Sequence, residues 1–214
     1  GGVWLSSKTL MQGSSRIPLL VERRLCKKMT LISGALLALL REEFALDLNG
    51  VHGEAHWKRV RDTGLRLAER TGADTNVVEL FAYLHDVKRA NDGFDREHGA
   101  RAAAFIETLD ASLLPVPAPA REQLIYACRL HTAGLIEGDV TVRTCWDADR
   151  LDLGRVGIRP NPRLLCTAAA RDAETIEWAY RHSRQREGTS TAEPEHPAVR
   201  TGIDGYSGRP RAGA

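Results

Sequence analysis

Residues 77–86 are VVELFAYLHD, an almost continuous apolar run that ends in a histidine and an aspartate. Its large apolar residues recur at three- and four-residue steps, which is the spacing of one face of a helix. Asp74 or Thr75 can cap the start of that helix, and His85 extends its apolar face. Asp86 follows directly. Because a buried, unpaired carboxylate is costly, this stretch predicts a cation or hydrogen-bond donors close to Asp86.

The same helical spacing recurs on both sides of this stretch, with no strand-like alternation of convincing length. Prolines at 115, 117 and 119, and again at 160 and 162, mark breaks, because proline lacks an amide hydrogen and fixes φ. The sequence therefore predicts an all-α protein, a single-domain bundle of about six to eight helices. Helices are predicted over about 31–44, 53–70, 75–85, 95–109, 121–132, 141–153 and 167–181.

Charge is unevenly distributed along the 214 residues, whose net charge is +2. Residues 1–28 carry six Lys/Arg and one acid, and residues 183–214 carry five arginines and four acids, which leaves −4 for residues 29–182. We predict a poorly ordered N-terminal extension over 1–28, a helical domain over 29–182 and a disordered tail over 183–214. A mildly acidic domain does not indicate a nucleic-acid surface.

Two further features bear on the compartment and the partners. The four cysteines form no CxxC pair, which favours reduced thiols in a cytoplasmic protein. The apolar run over 35–40 ends in Arg41 and is too short to cross a bilayer, so no membrane association is expected. A small-molecule substrate is the expected partner, and assembly into a homo-oligomer stays open.

Several histidines lie on the apolar faces of different predicted helices, at positions 56, 98 and 131. One such histidine is commonly a core residue, but several that point inward favour a shared site. In the helix over 141–153 the apolar face contains Asp149 and not Asp147, so Asp149 is the predicted ligand and Asp147 is the alternative. Imidazole and carboxylate groups suit divalent Mn, Fe, Co, Ni or Zn, and carboxylates also suit Mg. We therefore predict a site for one or two divalent ions, formed by His56, His85, Asp86, His98, His131 and Asp149.

Other polar residues are candidates for supporting roles. Lys88, Arg89 and Arg150 are predicted to bind substrate, because arginine pairs with phosphate in a bidentate manner. The alternative is that Lys88 and Arg89 are solvated cations at a helix end, or that one of them pairs with Asp86. Asp147 and Asp92 are predicted to lie behind the metal ligands and orient a histidine. Asp95 is expected to cap the helix that follows it, and His52 to lie at the rim.

Three stretches together resemble the H…HD…D signature of the HD superfamily. Residues 53–60, GEAHWKRV, are similar to its first ligand helix, residues 81–86, FAYLHD, to its second, and residues 147–152, DADRLD, to its terminal aspartate helix. The likeness extends over about residues 30–170. It implies an HD-type helical bundle and metal-dependent phosphohydrolysis, often of nucleotides. The metal ligands that it implies are His56, His85, Asp86 and Asp149.

His98 and His131 go beyond the minimal signature and look like the extra histidines of members that hold two metals. Asp86 would then bridge the ions, while His98 and His131 bind the second ion, contact a substrate phosphate or protonate the leaving group. The expected reaction is attack of a metal-bound hydroxide on a nucleotide or another small phosphoester or phosphoanhydride. The alternatives are a di-iron oxygenase of HD type, a non-catalytic regulatory module, and a Cys128 nucleophile beside His131.

Overall fold

The computed structural model describes residues 30–185, and the predictions for residues 1–28 and for most of the tail lie outside this range. Within it there are eight α-helices and no strand, which confirms the predicted all-α bundle. None of the described helices is long and apolar enough to cross a membrane. The helices are α1 (Gly34–Glu43), α2 (Glu54–Thr71), α3 (Thr75–Leu84), α4 (His98–Thr108), α5 (Ala118–Leu130), α6 (Val140–Leu151), α7 (Ala168–Arg171) and α8 (Ala173–Arg184).

Side-chain caps explain where several helices begin. Asp74 accepts a hydrogen bond of 2.8 Å from the amide of Asn76, as predicted for the start of α3. Asp139 caps α6 in the same way, through the amide of Thr141. Each cap satisfies an amide that has no partner within its helix.

Three predicted boundaries were wrong. Helix α4 begins only at His98, and Asp95 does not cap it, because its carboxylate accepts from the amide of Ala90 and from Arg101. Helix α5 includes Pro119 in its first turn, where the missing amide is not needed. The last predicted helix is divided at Asp172, which caps α8. Helix α8 also continues through Ser183, where the tail was predicted to start.

Helix α3 lies at the centre of the bundle. It packs against α2, α5 and α6, and its apolar side chains are at most 1% exposed. Most of its surface is apolar and is covered by these three helices, while Asn76 at its start is exposed. The end of α3 therefore brings His85 and Asp86 into the interior of the protein.

Gly64 lets α2, α3 and α6 approach one another closely. A Cβ atom at this position would lie 2.5 Å from Val78 Cγ1 and 3.3 Å from the Cβ of Ala148. Because protein interiors are close-packed, even one added methyl group must displace a neighbouring helix.

We expect Gly64→Ala to lower the free energy of unfolding by about 1–3 kcal/mol, although alanine is the better helix former. Gly34→Ala is the matched control, since a Cβ at Gly34 meets no atom within 4 Å. Its effect should stay within about 0.5 kcal/mol. Urea unfolding of both variants tests this, and equal stability of the two would contradict the packing argument.

Candidate metal centre

Six side chains meet at one end of the bundle, and each lies at or near the end of a helix. The bundle brings together all six residues that were predicted to share a site, and the four histidines are at most 4% exposed. They are His56 in the first turn of α2, His85 and Asp86 after α3, His98 at the start of α4, His131 after α5 and Asp149 in the last turn of α6. We call these six residues the histidine–aspartate cluster.

The first half of the cluster surrounds the facing rings of His56 and His85, whose Nε2 atoms are 3.1 Å apart. Asp86 Oδ2 lies 3.5 Å from His56 Nε2 and 3.6 Å from His85 Nε2. Asp149 Oδ1 lies 3.6 and 3.7 Å from the same two atoms. Two ring nitrogens and two carboxylates therefore converge on one point.

The second half shares Asp86 with the first. Its other oxygen, Oδ1, lies 3.0 Å from His98 Nε2 and 3.6 Å from His131 Nε2. These two ring nitrogens are 2.7 Å apart. Asp86 therefore presents one carboxylate oxygen to each half of the cluster.

Hydrogen bonds at Nδ1 fix the tautomers of the four histidines. The acceptors are Asp152 Oδ2 for His56 at 2.7 Å, Phe81 O for His85 at 3.1 Å, Asp95 O for His98 and Cys128 O for His131 at 2.7 Å. A neutral imidazole that donates through Nδ1 has only a lone pair at Nε2. When all four rings are neutral, four lone pairs therefore point into the cluster, two of them across 3.1 Å and two across 2.7 Å.

This donor set fits a bound cation. The Oδ1 atom of Asp86 is buried without a hydrogen-bond partner among the described residues. Facing lone pairs and a buried carboxylate repel one another unless a positive charge lies between them. Imidazole nitrogen and carboxylate oxygen are the ligands that borderline divalent metals prefer, and histidines held through Nδ1 are typical of metal sites.

The pKa values follow from burial and from this crowding. Burial lowers the pKa of His85 to about 3 and so keeps the ring neutral. Burial also raises the pKa of Asp86 and Asp149, but the neighbouring histidines outweigh it in both. The pKa of Asp86 lies well below its usual range, and that of Asp149 is about 2. Both carboxylates are therefore charged at neutral pH.

Only one of the three basic residues predicted to bind substrate lies at the cluster. Arg89 Nη1 is 3.2 Å from His98 Nε2 and 3.5 Å from Asp86 Oδ1. Lys88 instead pairs with Glu43. Arg150 donates to the carbonyl oxygens of residues 164 and 135. These contacts of Lys88 and Arg150 do not involve the cluster, and the substrate-binding role of both residues stays a prediction.

The carboxylate behind His56 is Asp152, and the prediction of Asp147 for such a role was wrong. Asp147 accepts hydrogen bonds of 2.6 and 2.8 Å from the amides of Cys166 and Thr167, and so anchors the chain before α7. Asp152 also holds Arg59 through two hydrogen bonds. Asp152 follows Asp149 by three residues, and residues at this spacing are neighbours on a helix. This spacing was the signal in the sequence that could have identified Asp152 as the residue behind His56.

Two further residues depart from their predicted places. Asp92 contacts His52 Nδ1 at 2.9 Å and none of the cluster histidines. His52 is 6% exposed, so it is buried and not at the rim, and its ring centroid lies 6.2 Å from that of His56.

Burial raises the pKa of Cys128 well above its usual value, which disfavours the thiolate that a nucleophile needs.

No protein-family model matches the chain, and no significant match was found among curated proteins or solved structures. The likeness to the HD superfamily therefore depends on the motif residues alone.

We expect Asp152→Asn to weaken Mn²⁺ binding about 10- to 100-fold, because His56 loses the carboxylate that orients it. Asp147→Asn is the matched control, because Asp147 is equally buried and accepts a hydrogen bond from the chain before α7. It should lower the melting temperature and leave the Mn²⁺ affinity of the folded protein unchanged. Isothermal titration calorimetry measures both affinities, and equal losses would show that Asp152 has no particular role.

In metal-free protein, stability should fall as the pH is lowered from about 6.5 towards 3. The folded pKa of His85 is about 3 and its ordinary value is 6.5, so between these limits only the unfolded chain binds this proton. His85 alone then contributes a slope of up to about 1.4 kcal/mol per pH unit.

Chemical unfolding in the presence of a chelator, repeated at several pH values, measures this slope. His85→Gln should have a shallower slope than the parent, whereas His182→Gln, on the distant helix α8, should not change it. A slope unaffected by His85→Gln would contradict the assignment.

Proposed function

We propose that this protein is a metal-dependent phosphohydrolase of the HD type that acts on a nucleotide or another small phosphoester or phosphoanhydride. The observation that carries the proposal is the convergence of four Nε2 atoms, the buried carboxylate of Asp86 and the partly exposed carboxylate of Asp149 on a shared space. The H…HD…D order of these residues supports the same conclusion.

The cluster offers two places for an ion. His56, His85 and Asp149, together with Asp86 Oδ2, would hold the first. His98, His131 and Asp86 Oδ1 would hold the second, with the Asp86 carboxylate as the bridge. When bound, divalent ions supply an activated water and stabilise the charge that develops on phosphoryl oxygens.

His98 and His131 have a second use if only the first place is filled. Burial lowers the pKa of His131, but Asp86 and Asp149 outweigh it, so the net shift of this pKa is upwards. His131 can then hold a proton at Nε2 near neutral pH and pass it to a leaving oxygen. Arg89 beside His98 is placed to bind a phosphate oxygen, since a guanidinium only donates.

The surface next to His98 suits an anionic, partly aromatic substrate. A pocket of about 650 Å³ is lined by three arginines, at 89, 96 and 129, and by two acids, Asp95 and Glu97. Arg101 already neutralises Asp95. Phe94, which also lines this pocket, is 88% exposed. An exposed ring can stack on a nucleobase, which favours a nucleotide.

The test is phosphate release from a panel of nucleotides and simple phosphoesters after reconstitution with Mn²⁺. Asp86→Asn should reduce phosphate release by more than about 100-fold, which exceeds the loss typical when a residue that only orients a metal ligand is substituted. His182→Ala, which removes a histidine far from the cluster in sequence and on α8, should retain full activity.

Folding of each variant is checked by circular dichroism, and metal content by mass spectrometry. A folded, Mn²⁺-loaded protein that releases no phosphate from any member of the panel would contradict the proposal. Oxygen uptake by the iron-loaded protein would then favour the oxygenase alternative.

A further inference from the structure

A second pocket, of about 810 Å³, is lined by two arginines, Arg59 and Arg155, that contact Asp152, the acceptor for His56. Three arginines line it, Arg59 from α2, Arg155 from the 3-10 turn Asp152–Val156 and Arg184 from α8. No acidic residue is among its described lining. We call it the arginine pocket. Its positive charge stands out because residues 29–182 carry a net charge of −4.

Arg155 is the unusual member of this set. Its side chain is only 9% exposed, yet Nη1 has no hydrogen-bond partner among the described residues. The nearest carboxylate oxygen, Asp152 Oδ2, is 3.8 Å away and is already held by His56 and Arg59. A buried guanidinium donor without an acceptor is costly, so an acceptor that a small movement of the Arg155 side chain brings into contact from the pocket would be favoured.

The surroundings hold Arg155 in place. Its Nε donates to the carbonyl of Val51 at 3.1 Å, which joins the 3-10 turn to the segment before α2. Gly154 packs so closely on α8 that a Cβ atom there would lie 2.0 Å from Ser183 Oγ. The arginine therefore lies on a turn that is fixed on two sides, as a preorganised binding group requires.

We propose that the arginine pocket binds the oxyanion group of a phosphate-bearing molecule, with Arg155 as the principal donor and Arg184 at the rim. A phosphate oxygen provides the acceptor that Nη1 lacks, and guanidinium groups pair with phosphate through two hydrogen bonds. The volume accommodates a group larger than one phosphate.

Asp152 connects this pocket to the histidine–aspartate cluster. One of its oxygens accepts from His56 Nδ1 and also lies 3.8 Å from Arg155. An anion that draws Arg155 away from Asp152 changes the partner that orients His56. We therefore expect anion binding in the arginine pocket to alter the affinity of the histidine–aspartate cluster for metal. This link depends on the proposed function, whereas anion binding itself does not.

The test is calorimetric titration of metal-free protein with inorganic pyrophosphate. Arg155→Gln should weaken binding by about tenfold or more, and Arg184→Gln, at an exposed position that folding tolerates, should weaken it to a lesser degree. Arg163→Gln, which removes an exposed arginine outside the pocket, is the control and should not change the affinity.

Two outcomes would overturn the proposal. One is a pyrophosphate affinity that neither Arg155→Gln nor Arg184→Gln changes. The other is binding that His98→Ala abolishes, which would place the anion at the cluster. Neither measurement requires metal or activity, so failure of the proposed function leaves this test intact.

The same variants distinguish the source of the phosphate group. If it belongs to the substrate, Arg155→Gln raises KM for the best member of the panel by a factor similar to its loss of pyrophosphate affinity. If it belongs to a separate ligand, KM stays unchanged, and pyrophosphate shifts the Mn²⁺ affinity of the parent by more than that of Arg155→Gln. The part of the shift that comes from complexation of Mn²⁺ by pyrophosphate in solution is common to both proteins.

Discussion

The carboxylate of Asp86, buried at the end of the central helix α3, is the group on which the arrangement of this protein depends. This carboxylate is shielded from water. Its charge can be compensated only by the four imidazoles, by Arg89 and by a cation bound between them. That requirement explains why five helices direct their ends towards one point instead of distributing their polar residues over the surface. The core on the other side of α3 is apolar and supplies the stability that such a polar interior does not.

The two halves of the cluster differ in a way that bears on how many ions it holds. The half around His56 and His85 contains ring nitrogens and carboxylates alone, so nothing competes with a cation there. In the other half, the guanidinium of Arg89 already lies beside His98 Nε2. A second ion must displace this arginine or share the histidine with it. If the cluster binds metal as proposed, a cation therefore enters the first place without displacing another group, whereas metal, proton and substrate would compete for the second.

The sequence predicted the features that follow from periodicity and failed on those that follow from long-range contacts. The seven helical stretches, the Asp74 cap and the inward face of Asp149 could all be derived from local spacing. The partners of Lys88, Arg150 and Asp147 could not, because Glu43, Leu164 and Cys166 approach them only through the folded chain. The role of Asp152 was missed for the same reason, because that role is a hydrogen bond with His56, a residue 96 positions away.

The acceptors behind the four histidines are of two kinds. His85, His98 and His131 donate to main-chain carbonyls, whereas His56 donates to a side chain. A main-chain oxygen is present whatever residue occupies its position, so substitution cannot alter its chemistry. Among the four acceptors, only the one at position 152 is removed or altered by a single substitution. If the cluster binds metal as proposed, this position offers a route to a changed metal preference without any change in the ligands themselves.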